Sequence, residues 1–93
     1  MTTDKQSILI TGAGSGMGQL AARNLAAEGY QIAAVDVNEQ GLLETAEGHQ
    51  NIRTFQTDVT DYAAVAEVVR ETETRLGPIS RVLNAAAIMP LGK

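Results

Sequence analysis

The sequence has 93 residues, a length that allows one domain. Hydrophobic residues make up 44% of it and charged residues 19%, as in an ordinary globular protein. The formal net charge of −4 is spread along the chain without a basic stripe, so we expect neither nucleic acid nor an anionic membrane as a partner. Cysteine is absent, which excludes disulfides and thiolate metal sites and is consistent with the cytoplasmic location that we expect.

The N-terminal part of the chain predicts a strand, a helix and a second strand. An apolar segment predicts the first strand at Ser7–Thr11, and helical spacing predicts a helix from about residue 16 to 28. The apolar face of this helix is predicted to comprise Met17, Leu20, Ala21 and Leu25. Gly29 lies where a glycine commonly ends a helix, and the second strand is predicted at Gln31–Asp36.

A short helix and a third strand are predicted next. Asn38 is a suitable N-cap for the helix, Gly41 weakens it, and Gly48 ends it. Its apolar residues are Leu42, Leu43 and Ala46. The third strand is predicted at about residues 53–57.

The C-terminal part predicts a third helix and a fourth strand. The helix begins at Thr60 or Asp61, either of which can cap it, and ends at Gly77 and Pro78. Its apolar stripe is predicted to comprise Val65, Val68, Val69 and Leu76. The strand, at residues 81–86, is mostly apolar, as expected of a strand that is covered on both faces.

Strands and helices thus alternate as β-α-β-α-β-α-β, which predicts an α/β fold with a parallel, Rossmann-type sheet. We expect the strand order 3-2-1-4, the start of a doubly wound fold. Such sheets bind ligands beyond the carboxyl ends of their strands, near the switch between strands one and four. The glycine-rich run at residues 11–18, Asp36, Asp58 and Asn84 all fall at predicted strand ends.

The glycine-rich run reads Thr-Gly-Ala-Gly-Ser-Gly-Met-Gly and lies between a strand and a helix. Gly12, Gly16 and Gly18 allow the backbone to turn tightly and to approach a ligand closely. We expect the backbone amides of Ser15 and Met17, with the Ser15 hydroxyl, to bind a pyrophosphate at the helix N-terminus. The alternative is a tight turn that only packs the helix on the sheet. No Lys-Ser or Lys-Thr pair follows, which excludes a Walker-type loop.

Asp36 ends the second strand, where a carboxylate can accept hydrogen bonds from the ribose hydroxyls of adenosine. It would repel a 2′-phosphate, and neither Val37 nor Asn38 supplies a compensating cation. The sequence therefore predicts NAD as cofactor rather than NADP. A solvated turn aspartate or a helix cap is the alternative.

Two further sites follow the third and fourth strands. Asp58 could accept a hydrogen bond from the adenine amino group while Val59 forms an apolar wall, although an aspartate before a helix is often only a cap. Asn84 precedes small residues that would let a flat ligand lie against the backbone, and its side chain could tie strand ends together. A packed, small-residue strand end is the alternative there.

On these motifs, the chain resembles the short-chain dehydrogenases/reductases over essentially its whole length. Residues 11–18 match the family pattern TGxxxGxG, and Asp36, Asp58 with Val59, and Asn84 follow in order. The resemblance implies that Gly12, Ser15 and Met17 contact the pyrophosphate and that Asp36 contacts the ribose. It also implies that Asp58 and Val59 contact adenine and that Asn84 with Ala86 lies near the inner part of the cofactor. Where the family commonly has Asn-Asn-Ala-Gly, residues 84–87 read Asn-Ala-Ala-Ala.

The catalytic residues of that family have no counterpart in this sequence. Family members transfer hydride between nicotinamide and a carbonyl or alcohol, with a tyrosine as general acid/base and a lysine four residues on that lowers its pKa. The tyrosines here are Tyr30 and Tyr62, each followed four residues later by alanine, and the lysines are Lys5 and Lys93. We therefore expect residues 1–93 to form a dinucleotide-binding portion, inactive alone, whose catalytic and substrate-binding portion lies elsewhere.

The resemblance implies a small-molecule carbonyl or alcohol substrate and a homo-oligomer for the complete enzyme. We also expect the fourth strand to be an unpaired edge and the 93 residues alone to be marginally stable or self-associating. One alternative function is a non-catalytic dinucleotide sensor or interaction protein on the same fold. Another is an S-adenosylmethionine methyltransferase, which the long spacing from Gly12 to Gly16 disfavours.

Overall fold

The computed structural model describes residues 6–85. In chain order the elements are β1 (Ser7–Thr11), α1 (Gly16–Ala27), β2 (Gln31–Asp36), α2 (Glu39–Ala46), β3 (Ile52–Gln56), α3 (Tyr62–Arg75) and β4 (Ile79–Asn84). The four strands pair in parallel in the order β3-β2-β1-β4. The predicted Rossmann-type fold class and strand order are confirmed.

Alternating side chains of β1 and β2 fill two cores, one on each face of the sheet. The cluster on the α1 and α2 face includes Ile8, Ile10, Ile32, Ala34, Ala22, Ala26 and Leu42. The cluster on the α3 face comprises Leu9, Ala33, Val35 and Val68. β1 and β2, which are covered on both faces, therefore form the centre of the sheet, and the glycine loop and Asp36 lie at their carboxyl ends.

The apolar face predicted for α1 is wrong in part. Met17 and Leu20 are 66% and 61% exposed, whereas Ala21 and Leu25 are partly buried against the core. The buried residues of α1 are Gly18, Ala22 and Ala26. The helix therefore rests on the sheet through its smallest side chains, which lets its backbone approach the strands more closely than leucines would allow.

The fourth strand begins two residues earlier than the predicted range of 81–86. The Ser7 amide donates to the Pro78 carbonyl (3.1 Å), so pairing with β1 starts immediately after the Gly77–Pro78 turn. Val82 is 59% exposed, which contradicts the expectation that β4 is covered on both faces. Within residues 6–85, β4 is an edge strand that pairs only with β1. The prediction that its other edge is unpaired is confirmed for these residues. Ala86 lies outside the described residues.

Side-chain caps fix where α2 and α3 begin. The Asn38 side chain accepts a hydrogen bond from the Gly41 amide (3.1 Å), which confirms the predicted N-cap of α2. Of the two candidates for α3, Asp61 is the cap, because its carboxylate accepts from the Ala64 amide (3.2 Å). Thr60 instead bonds to Asp58. Among the helices described, none has the length and apolar character needed to span a bilayer.

Candidate functional site

The loop from β1 to α1 turns through two glycines in the left-handed region. Gly12 has φ of 73° and Gly16 has φ of 56°, conformations that side chains with a Cβ rarely adopt. Ser15 between them is extended and is the N-cap of α1, but its side chain makes no capping hydrogen bond. The Ser15 carbonyl accepts from the Gln19 amide (3.2 Å), and helix geometry leaves the preceding first-turn amides without intrahelical acceptors. This end of α1 therefore presents hydrogen-bond donors and a positive dipole end.

The first turn of α1 lies directly on this loop. A Cβ at Gly18 would come within 2.0 Å of the Gly12 carbonyl oxygen, so only glycine permits this approach. The Ala13 amide donates to the Val35 carbonyl (3.1 Å), which fastens the loop to β2. Gly18 is buried, whereas Ser15 and Met17 are exposed at the helix mouth. Gly18 thus packs α1 on the glycine loop, and an anion would bind the exposed amides of Ser15 and Met17.

Asp36 is the last residue of β2 and is half-buried beside the glycine loop. Its Oδ2 accepts from the Gly14 amide (2.9 Å), and its Oδ1 accepts from the Asn38 amide (3.0 Å). A carboxylate has about four acceptor positions, so both oxygens keep capacity for a ligand. Asn38, not Asp36, caps α2. The carboxylate is therefore bonded both to the glycine loop, through Gly14, and to the turn that follows β2, through Asn38, and it does not cap α2.

Asp58 and Val59 follow β3 at the same edge of the sheet. Asp58 Oδ1 accepts from the hydroxyl (2.7 Å) and the amide (2.9 Å) of Thr60. These hydrogen bonds, the hydroxyl's first, lower the pKa of the Asp58 carboxyl below its ordinary value of 3.8 because they stabilise the charged form. Asp58 is exposed and does not cap α3, because Asp61 is the N-cap of that helix. Val59 is 39% exposed.

Asn84 lies at the end of β4, in register with Thr11 of β1. The Thr11 hydroxyl donates to Asn84 Oδ1 (2.8 Å), so the side chains join the two strand ends where the glycine loop begins. This agrees with the role predicted for Asn84. The fold therefore brings Gly12, Ser15, Gly16, Met17, Gly18, Asp36, Asp58, Val59 and Asn84 to one edge of the sheet. Ala86, the remaining predicted site residue, is not among the described residues.

Sequence reasoning missed a buried connection between the loop and α2. The fully buried Thr45 hydroxyl lies 2.7 Å from the Ala13 carbonyl oxygen and 2.9 Å from that of Gly41. Gln19 Nε2 of α1 donates to the Thr45 hydroxyl oxygen (3.0 Å). The only signal in the sequence is a polar residue on the apolar side of a short helix, and such a pattern cannot identify a partner 32 residues away.

Gly41 is the second connection that was missed. A Cβ there would lie 2.1 Å from the Gly14 carbonyl oxygen, so α2 and the loop pack backbone to backbone. In the sequence, Gly41 only lowers the helix propensity of α2. Its role is visible only in the packing.

Arg23, the cationic residue of α1, does not lie near Asp36. Arg23 Nη1 donates to the carbonyls of Glu44 (2.9 Å), Thr45 (3.2 Å) and Glu47 (3.2 Å), at the C-terminal end of α2. A helix of eight residues is about 12 Å long, and Asp36 lies near its other end. In the part of the chain that the structure describes, His, Asp and Glu side chains form no group of three or more that could hold a metal ion.

The family can be assigned from a direct comparison. A family model described as short chain dehydrogenase matches residues 6–93. The chain belongs to the short-chain dehydrogenase family. This membership agrees with the TGxxxGxG loop and the parallel sheet, and it removes the support for a methyltransferase.

Similar proteins include two bacterial members of the short-chain dehydrogenase family. The chain is 40% identical over 88 residues to 2,3-dihydro-2,3-dihydroxybenzoate dehydrogenase of Bacillus subtilis (strain 168), covering 89% of this chain and 33% of that protein. It is 42% identical over 88 residues to levodione reductase of Leifsonia aquatica, covering 87% and 33%. The chain thus spans about one third of the length of the curated relatives that it matches.

The short-chain dehydrogenase fold is also seen in a solved structure with a bound nucleotide. The 3-ketoacyl-(acyl-carrier-protein) reductase from Brucella melitensis, complexed with NADH, has a TM-score of 0.78 and 28% identity to this chain. The match covers 83% of this chain and 32% of that one.

Proposed function

We propose that this chain is the NAD(H)-binding portion of a short-chain oxidoreductase that transfers hydride between nicotinamide and a small carbonyl or alcohol substrate. The observation that carries the proposal is the hydrogen bond between the Gly14 amide and Asp36 Oδ2 (2.9 Å). It joins the carboxylate suited to a ribose with the loop suited to a diphosphate. Family membership and the NADH-bound 3-ketoacyl reductase support the same ligand class.

The residues present fit such a cofactor. Gly18 lets the start of α1 pack directly on the Gly12 carbonyl, and the exposed α1 amides with the Ser15 hydroxyl, which makes no capping bond, can bind the diphosphate. Asp36 would accept from the ribose hydroxyls, Asp58 and Val59 would border adenine, and Asn84 with Ala86 would lie towards the nicotinamide half. When bound, the cofactor supplies the hydride chemistry; the chain supplies binding and orientation.

The preference for NAD over NADP rests on charge. A 2′-phosphate carries negative charge next to the Asp36 carboxylate, and the α1 cation Arg23 is engaged with the far end of α2. Val37 and Asn38, which follow Asp36, are uncharged. Repulsion between this phosphate and the partly buried Asp36 carboxylate is expected to disfavour NADPH by about tenfold or more.

Titration of the protein with NADH and NADPH, followed by nicotinamide fluorescence, tests this function. We expect saturable NADH binding that Asp36→Ala weakens by at least about tenfold. Glu39→Gln, at an exposed carboxylate in the first turn of α2, is the matched control and should bind NADH normally. Failure of the unsubstituted protein to bind NADH would refute the proposal.

The alternative is a non-catalytic dinucleotide sensor on the same fold. It is favoured by the sequence Asn-Ala-Ala-Ala at residues 84–87, where the family commonly has Asn-Asn-Ala-Gly. Both functions predict NADH binding. Turnover of NADH with simple ketones by the complete protein, not by residues 1–93 alone, separates them, because a sensor binds the cofactor without oxidising it.

A further inference from the structure

Asp36 is held on two sides by backbone amides. Gly14 donates to Oδ2 from the glycine loop (2.9 Å), and Asn38 donates to Oδ1 from the residue that caps α2 (3.0 Å). Hydrogen bonds from N–H groups to a carboxylate are among the stronger ones in proteins. The orientation of this carboxylate is therefore set by two backbone segments, and one of them, Gly14, is buried.

A side chain at position 14 would collide with this carboxylate. A Cβ on Gly14 would lie 3.0 Å from both Cγ and Oδ2 of Asp36 and 3.3 Å from the Asn38 carbonyl oxygen. These distances are shorter than ordinary van der Waals contacts of about 3.5–4.0 Å. Gly14 is not among the residues with positive φ, so its backbone conformation does not itself require glycine. What restricts a larger residue at position 14 is the space that the Asp36 side chain occupies.

The Gly14 peptide cannot move away to make room. Its carbonyl packs against Gly41, where a Cβ would lie only 2.1 Å from the oxygen. The preceding residue, Ala13, is fully buried and is bonded to Val35 through its amide and to Thr45 through its carbonyl. A methyl group on Gly14 would therefore be accommodated mainly by displacement of the Asp36 side chain.

We propose that Gly14 is a positioning residue for ribose recognition, which rests on the function proposed above. Its amide, together with its lack of a Cβ, holds the Asp36 carboxylate where the free acceptor positions of both oxygens meet the ribose hydroxyls. A methyl at position 14 moves the carboxylate and weakens binding of ligands that carry those hydroxyls. Gly14 thereby contributes to the preference for NAD without contacting the sugar through a side chain.

A double-mutant cycle between Gly14 and Asp36 tests the inference. NADH affinity is measured for the unsubstituted protein, Gly14→Ala, Asp36→Ala and the double variant. We expect Gly14→Ala to weaken NADH binding by about tenfold, and to change it by less than about twofold once Asp36 is alanine. NADPH affinity should change little, because the displaced carboxylate contacts the ribose less well but also repels the 2′-phosphate less.

A second probe separates positioning from a general loosening of the loop. For 2′-deoxy-NAD, which lacks one hydroxyl, the loss caused by Gly14→Ala should be smaller than for NAD. An equal loss for both ligands, or an equal loss with and without the Asp36 carboxylate, overturns the inference while leaving the proposed function intact. Absence of NADH binding in the unsubstituted protein overturns both.

Thermal unfolding of the four proteins covers the case in which Gly14→Ala does not fold. Removal of the Asp36 side chain opens the space that the new methyl requires, so the double variant should then fold as Asp36→Ala does. That recovery supports steric coupling between the two positions. If both variants with alanine at position 14 fail to fold while Asp36→Ala folds, the methyl is excluded for another reason and the inference is wrong.

Discussion

The buried hydroxyl of Thr45 offers a quantitative test of how the glycine loop is held. Thr45→Val keeps nearly the same volume but removes the donor that lies 2.7 Å from the Ala13 carbonyl. The Gly41 carbonyl keeps its position in the helix, and Gln19 Nε2 also lies within 3.4 Å of it. The substitution therefore leaves the Ala13 carbonyl without its partner and removes the acceptor of Gln19 Nε2 (3.0 Å), which together cost about 2 kcal/mol of unfolding free energy.

Thr45→Ser separates the hydroxyl from the methyl group. Serine keeps the hydrogen bond to Ala13 and removes one buried methyl, which should cost about 1 kcal/mol. The exposed Thr74 of α3 provides the matched control, and Thr74→Val should change stability by less than about 0.5 kcal/mol. The expected order of destabilisation is thus valine at position 45, then serine at position 45, then the control.

Urea unfolding followed by far-ultraviolet circular dichroism measures these differences. The slope of free energy against urea should stay constant across the variants, since each change leaves the buried surface nearly unchanged. If Thr45→Val is as stable as the unsubstituted protein, or more stable than Thr45→Ser, the hydroxyl does not anchor the loop and the reasoning fails.

Two further predictions concern threonines outside the loop. Thr72 Oγ1 is buried and has no hydrogen-bond partner among residues 6–85, so Thr72→Val should raise the unfolding free energy by about 1 kcal/mol; a loss of stability would show that the hydroxyl has a partner. Thr60→Val removes the larger cause of the lowered Asp58 pKa, so NMR titration of the carboxyl carbon should show that pKa rising towards 3.8. Because these bonds favour the charged carboxylate, the stability they confer is present above the ordinary pKa and disappears as pH falls through the lowered one. An unchanged Asp58 titration would contradict this.

The elements and their order could be predicted from local patterns in the sequence. The bounds of β1 and β2 were predicted correctly because continuous apolar runs between turn residues leave little choice of position. Alternation of strand and helix then restricts the topology to a parallel sheet, and this places the glycine loop, Asp36, Asp58 and Asn84 at one edge. These inferences depend on local patterns and on general rules of chain connection.

The side-chain contacts of those residues depend on tertiary packing and could not be predicted. The apolar spacing of α1 suggested that Met17 and Leu20 face the core, whereas the helix packs through alanine and glycine. The hydrogen bond between Gly14 and Asp36 joins residues 22 apart, and α2 approaches the same loop so closely that a Cβ at Gly41 would lie 2.1 Å from the Gly14 carbonyl oxygen. Such approach distances are set by the fit of several elements at once, so no local pattern in the sequence encodes them.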